Sequence, residues 1–137
     1  VFVGGFIGSP AMNFLRGKVV GDYFEIGKEK IRVPDQKLAI LKEQNYVNGE
    51  IILGIRPEDI NDNFDVNTID SDNNISATVQ VSELTGAETI IYATVEDQQF
   101  VGKIHPDADI TMGQQLNLNF NLTKAHFFDP TTEARIR

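Results

Sequence analysis

The chain has 137 residues, with 20 Asp and Glu against 12 Lys and Arg, so its formal net charge is −8. This acidic balance disfavours nucleic acids and anionic membrane surfaces, because both are bound through clustered Lys and Arg. The sequence contains no Cys, which excludes disulfides, thiolate metal sites and thiol nucleophiles. The length suits a single domain, and no apolar run is long enough to span a bilayer.

The first ten residues are apolar and are predicted to be the end of an element that packs on another part of the protein. Gly5 and Gly8 permit close packing of a helix. Ser9 precedes Pro10, and a residue before proline avoids the right-handed helical conformation. The sequence therefore predicts a helix that ends here.

Three short strands, one helix and a fourth strand are predicted next along the chain. The helix covers residues 34–44, where Pro34 can begin it and where Leu38 and Leu41 lie three apart on one face. A stretch rich in Asp and Asn, residues 58–74, is predicted to be a surface loop. The four strands are predicted over residues 14–20, 22–26, 29–33 and 50–56.

In the second half of the chain, apolar and polar residues alternate in two stretches, which predicts strands with one face on a core. Residues 89–95 are rich in β-branched side chains and predict another strand, residues 99–104 predict the next, and Glu96 and Asp97 form the turn between them. The apolar positions of the two alternating stretches are Ile75, Ala77, Val79 and Val81 in the first, and Leu116, Leu118, Phe120 and Leu122 in the second.

Seven or more short strands separated by regular turns predict an all-β, mostly antiparallel fold. The arrangement that fits is a small, partly open barrel of the oligonucleotide- and oligosaccharide-binding (OB) type. One short helix and the remnant of a helix at the N-terminus complete the predicted architecture.

The residues predict no catalytic, metal or cofactor site. The pattern of a phosphate-binding loop fails at Val19, which stands where Ser or Thr is required. Residues 70–74 begin like a calcium loop, but Ile75 follows where that loop requires Gly. His105 and His126 have no second His or carboxylate at a metal-ligand spacing.

Four short segments of the chain have a recognisable composition, order and spacing. Their residues include Gly5, Phe6, Ile7, Gly8, Ser9, Pro10, Met12 and Asn13 in the first; Gly54, Ile55, Arg56, Pro57 and Glu58 in the second; Gly86 in the third; and His126, Phe127 and Phe128 in the fourth. Together they resemble the C-terminal regulatory domain, of the TOBE or OB-like type, in ATP-binding subunits of maltose and multiple-sugar ABC importers. The resemblance covers essentially the whole chain.

The resemblance implies a division of the chain and a function. Residues 1–10 are expected to be the end of a linker helix from a nucleotide-binding domain, and residues 11–137 the OB-like/TOBE domain. The fragment is then non-catalytic and serves homodimerisation and regulation of a sugar transporter. It holds no cofactor itself, since ATP and Mg²⁺ are bound by the upstream part of the parent chain.

The same resemblance implies partners and a location. The expected partners are its own nucleotide-binding domain, a second copy in a homodimer, membrane permease subunits reached through the parent chain, and a regulatory protein. Nucleic acid is not among them. The location implied is the cytoplasm, peripheral to the inner face of the cell membrane.

The motif residues also have physical interpretations of their own. Met12, Phe14, Phe127 and Phe128 are predicted to be core or docking residues, because large apolar side chains are usually buried. If the extended backbone continued through Pro57, the side chains of Arg56 and Glu58 would lie on one side and form an ion pair.

An alternative function is a stand-alone module that binds a small oxyanion such as molybdate. Oxyanion capture needs converging backbone N–H groups with hydroxyl or amine side chains. Ser82, Thr85 and Thr89 flank a glycine turn and are the candidates for such a site, although the acidic surface opposes it.

Overall fold

A computed structural model describes residues 11–62, 73–105 and 110–137 of the chain. The predicted linker, residues 1–10, lies outside the described residues, and with it lie Gly5, Phe6, Ile7, Gly8, Ser9 and Pro10. The described chain forms two five-stranded antiparallel sheets and one α-helix.

The first sheet collects the strands from the N-terminal half and one short strand near the C-terminus. Its strands are β1 (Asn13–Val20), β2 (Tyr23–Ile26), β3 (Glu29–Arg32), β4 (Glu50–Ile55) and β10 (His126–Phe128). They lie in the order β10-β4-β1-β2-β3, and every neighbouring pair is antiparallel. Gly21 and Gly27, with φ of 61° and 58°, make the two tight turns at positions where the sequence predicts them.

The second sheet is built from the C-terminal half. Its strands are β5 (Ile60–Asn61), β6 (Asn74–Leu84), β7 (Thr89–Val95), β8 (Gln98–Ile104) and β9 (Gln115–Phe120). They lie in the order β5-β9-β6-β7-β8. Glu96 and Asp97, with φ of 48° and 64°, form the predicted two-residue turn between β7 and β8.

The helix α1 (Asp35–Glu43) packs on the core through one of its faces. Pro34 precedes it with an extended backbone, and Asp35 places a negative charge in the first turn, where the helix dipole favours it. Leu38 and Leu41 are its buried residues and join the core. This confirms the helix that the sequence predicts, to within two residues at each end.

One apolar core lies between the two sheets and confirms the prediction of a small all-β barrel. Each strand contributes its inward-facing residues, and ring contacts between Phe24 and Phe127 and between Phe100 and Phe120 join elements far apart in sequence. The sheets together form a nearly closed barrel. Within the described ranges, no helix has the length and apolar character needed to cross a membrane.

A β-bulge in β6 changes one predicted core position. Val79 pairs with Ala93, but Val81 pairs with Tyr92, so Gln80 is an extra residue between the two pairs. The extra residue reverses the alternation, and Val81 is 43% exposed where the sequence pattern predicts burial. Leu122 is buried as predicted, but it lies in a 3-10 turn rather than in a strand.

Candidate functional site

Residues from three of the four motif segments meet on the outer face of the first sheet. Phe14 of β1 and His126 of β10 both lie opposite Gly54 of β4. A Cβ atom added to Gly54 would lie 2.5 Å from a ring carbon of Phe128 and 2.7 Å from the sulfur of Met12. Any larger residue at position 54 would therefore collide with Met12 of the first motif and Phe128 of the fourth motif, which explains the glycine in the second motif.

The rings of Phe14 and Phe128 meet edge to face over this glycine, with centroids 5.5 Å apart and an interplanar angle of 72°. Both rings are half-buried, and Ile52, which pairs with Phe128, is completely buried. We call Met12, Phe14, Gly54 and Phe128 the motif cluster. In this cluster the two rings pack on each other and keep part of their surface exposed. A docking role for them stays a prediction.

Asn13 has a role that composition and periodicity do not indicate. Its side chain is buried, its Nδ2 donates to the carbonyl oxygen of Val101 at 2.9 Å, and its Oδ1 accepts from the N–H of Val101 at 2.9 Å. The amide thus satisfies both backbone groups of one residue, as a neighbouring strand would. This links β1 of the first sheet to β8 of the second and helps to close the barrel.

The second motif ends its strand by a change of backbone conformation. Ile55 is buried in the core, and Pro57 is buried at the start of a 3-10 turn, Pro57–Asp59. Because the turn replaces the extended backbone, Arg56 and Glu58 do not form the predicted ion pair among the described residues, and both are exposed. Their side chains are available for contacts outside this domain.

The fourth motif is held by the C-terminal tail, residues 129–137. Asp129 accepts hydrogen bonds at Oδ1 from the backbone N–H groups of Thr131 and Thr132, at 2.7 and 2.8 Å, and at Oδ2 from the hydroxyl of Tyr46 at 2.7 Å. The hydrogen bond from the Thr132 N–H contributes most, and together these bonds lower the pKa of Asp129 to about 2. The tail is thereby fixed to the segment that follows α1.

The turn at the third motif leaves little for capture of an oxyanion. Gly86 has a φ of 89°, which explains the glycine. The backbone N–H and the hydroxyl of Thr85 both donate to the carbonyl oxygen of Glu88, each at 2.9 Å. Thr89 is buried and pairs with Leu84 in the hairpin. Thr85 therefore donates within its own turn, and Thr89 is buried inside the hairpin.

The His, Asp and Glu side chains of the described residues are the candidates for metal ligands. Among them, no group of three or more His, Asp and Glu side chains lies close enough to hold a metal ion. A polar groove of about 340 Å³ lies between the β2–β3 turn and the second sheet. Glu29, Glu96 and Asp97 line it beside a single lysine, Lys28, so its charge does not favour an anion.

Comparison with known families matches two domain types in sequence. Residues 8–60 match the MalK OB fold domain, and residues 53–128 match the TOBE domain. Both domain types are those that the four motif segments resemble, which confirms the resemblance on which the sequence-based assignment depends.

Several curated proteins are similar along the whole chain. The oligosaccharides import ATP-binding protein MsmX of Bacillus subtilis is 45% identical over 137 residues, which are 100% of this chain and 38% of MsmX. The multiple sugar-binding transport ATP-binding protein MsmK of Streptococcus mutans is 39% identical over 99% of this chain and 36% of its own length. The trehalose/maltose import ATP-binding protein MalK of Thermococcus litoralis is 37% identical over 96% of this chain and 36% of its own length. The chain thus spans little more than a third of these relatives.

A solved structure shares the fold. The cytoplasmic molybdate-binding protein ModG, in a form with molybdate bound, aligns over 90% of this chain and 99% of its own with a TM-score of 0.64. The sequence identity is 11%, so the likeness concerns the arrangement of strands alone.

Proposed function

The chain belongs to the TOBE domain family, and from that premise we propose that it is the C-terminal regulatory and homodimerisation domain of the ATP-binding subunit of a sugar ABC importer. The observation that carries the proposal is the similarity to MsmX, which extends over the whole of this chain but over only 38% of MsmX. ATP and Mg²⁺ are then bound, and ATP is hydrolysed, by a part of the parent subunit that these 137 residues do not include. The partners are the nucleotide-binding domain, a second copy and the permease subunits.

We place the homodimer contact at an open strand edge in the second sheet. β9 pairs with β6 as far as Thr78, and Val79 exchanges hydrogen bonds with the loop before β9. Over residues 80–84, the ladder of β6 in the described chain runs to β7 alone. An open edge offers unpaired backbone groups to another chain, and an antiparallel pair of identical edges is self-complementary.

Exposed apolar side chains near this edge also favour it as the homodimer contact. Leu84 is 70% exposed and Val81 is 43% exposed on β6, and Met112, which is 70% exposed, precedes the glycine that bonds to Val79. Large apolar side chains near a free edge favour association with another protein surface. In the proposed homodimer this contact holds two ATP-binding domains near each other. Each domain then meets the other at a high effective concentration, which favours their closure on ATP.

A matched pair of variants tests the contact. Val81 and Val20 are the same residue type at 43% and 40% exposure, but Val20 lies at the end of β1 in the other sheet. Sedimentation velocity over a concentration series is expected to show dimers of the parent chain and of Val20→Lys. In Val81→Lys the dissociation constant should rise about tenfold or more, because a lysine charge must be desolvated in the contact.

Each outcome has a distinct meaning. Equal dimerisation of the two lysine variants would refute the β6 edge as the contact. A parent chain that stays monomeric at every concentration would refute homodimerisation by this domain.

We also propose that a regulatory protein acts on the importer through this domain and that the subunit lies at the cytoplasmic face of the membrane. A regulator that binds one arrangement of the dimer better than another shifts the equilibrium by its difference in affinity. The half-buried rings of the motif cluster and the exposed Glu58 are the surface we expect to contact the parent chain's other domain.

A further inference from the structure

Cationic side chains converge on one face at the C-terminal edge of the first sheet. Arg135 lies opposite Phe128, and the Ile136 N–H donates to the Phe127 carbonyl oxygen at 2.8 Å, so the tail continues the sheet beside β10. In this antiparallel register Arg137 lies beside His126. Since residues opposite each other in antiparallel strands point to the same side, His126, Arg135 and Arg137 share one face.

Two further cations approach from other elements. Gly54 lies opposite His126, and Arg56 follows two residues later with an extended backbone, φ −76° and ψ 151°, which puts it on the face of His126. Lys37 of α1 lies close enough for its charge to act on His126, and the charge of Arg135 acts on Lys37. We call Lys37, Arg56, His126, Arg135 and Arg137 the basic strip.

Ion pairs between two described residues join Arg16 with Glu50, Arg32 with Asp35 and Lys103 with Glu88, and none of these three pairs includes a member of the basic strip. The tail carries two carboxylates, Glu133 and Asp129, and both oxygens of Asp129 accept hydrogen bonds from Tyr46 and from its own turn. The elements around His126 also carry the carboxylates of Asp35, Glu43, Glu50, Glu58, Asp129 and Glu133 and the cations of Lys42 and Lys124.

Positive charges act on both His126 and Lys37 in the basic strip. Burial lowers the pKa of His126, and the positive charges of Arg135, Lys37, Arg56 and Arg137 lower it further. Burial and the charge of Arg135 lower the pKa of Lys37. These repulsions are unusual in a chain with a net charge of −8, and a bound anion would relieve them.

We propose that the basic strip binds a phosphate-class oxyanion, such as a free phosphate monoester. A guanidinium group presents a planar fork of N–H donors that matches two oxygens of a phosphate, and three of the five groups are guanidinium groups. Neighbouring strands lie about 4.8 Å apart, so these long side chains can reach one tetrahedral anion together. The acidic remainder of the surface does not prevent this, because charges more than about 8 Å away are largely screened at physiological salt.

Proton NMR of the histidine rings tests the proposal with inorganic phosphate as the probe. The chain has two His, so His105→Gln assigns the ring signals, and those of His105 serve as the internal control. Bound phosphate favours the imidazolium form, so the pKa of His126 should rise by about one unit in saturating phosphate. A titration with chloride at the same ionic strength distinguishes phosphate binding from the general screening of charges by salt.

Two charge-matched variants complete the test. Arg135→Gln removes one positive charge from the strip and should weaken phosphate binding about tenfold. Lys28→Gln removes the same charge from the β2–β3 turn and should bind phosphate as the parent chain does. If phosphate and chloride change the His126 signals equally, or if the two variants respond alike, the proposal is wrong.

Discussion

The substitution Asn13→Ala tests how the barrel is closed. Asn13 is 5% exposed, and its amide satisfies both the N–H and the carbonyl oxygen of Val101, which is itself 6% exposed. Alanine would leave both backbone groups buried without a partner. Each such group costs about 1–3 kcal/mol, so the free energy of unfolding should fall by about 2–6 kcal/mol. That is a large part of the stability of an ordinary domain.

Urea unfolding followed by circular dichroism measures this loss, with Asn117→Ala as the matched control. Asn117 is exposed on β9, where the same substitution should change the free energy of unfolding by less than about 0.5 kcal/mol. Asn13→Asp is a second probe, because it keeps the acceptor but turns an oxygen toward the Val101 carbonyl oxygen. If Asn13→Ala and Asn117→Ala were equally stable, the bridge would not hold the sheets together.

Two further substitutions test the motif cluster and the tail. Gly54→Ala should lower the free energy of unfolding by about 1–3 kcal/mol, because its Cβ would overlap the ring of Phe128. The control Gly49→Ala has open space around it and should not lower that free energy. Urea unfolding compares the two variants, and equal stability would contradict the close packing of Phe128 over Gly54. Asp129 has a folded-state pKa below its ordinary 3.8, so the stability it supplies is present above pH 3.8 and is lost as pH falls toward about 2. Asp129→Asn should therefore be less stable than the parent chain at neutral pH, and its stability should fall less between pH 3.8 and about pH 2. Thermal unfolding at a series of pH values measures both effects. A pH profile identical to that of the parent chain would contradict the role of the carboxylate.

The sequence predicts most of the strands because apolar and polar residues alternate in them or because, as in β4, a short apolar run is buried on both faces. The two strands it misses are β5 and β10, which have two and three residues and are too short to show a period. The exposure of Val81 is missed for a different reason. A bulge is an extra residue in a ladder, and it becomes visible only when the partner strand is known.

The candidate surfaces depend on contacts between distant parts of the chain. Family resemblance selects Met12, Gly54 and Phe128, but their meeting follows from the antiparallel pairing of β10 with β4. The basic strip has no local charge cluster in the sequence, because Arg56 and His126 are seventy residues apart. Pairing of the tail with β10 brings Arg135 to the same face.

Exchange of domains in a relative tests the central proposal most directly. A chimera in which this chain replaces the matching 137 residues of MsmX would be expressed in Bacillus subtilis without its own MsmX, and oligosaccharide import would be measured. We expect import to be restored by the chimera and by its Val20→Lys form, and to be reduced in its Val81→Lys form. A chimera that is stable and hydrolyses ATP but gives no import would contradict the assignment of this chain as the regulatory and homodimerisation domain of a sugar importer subunit.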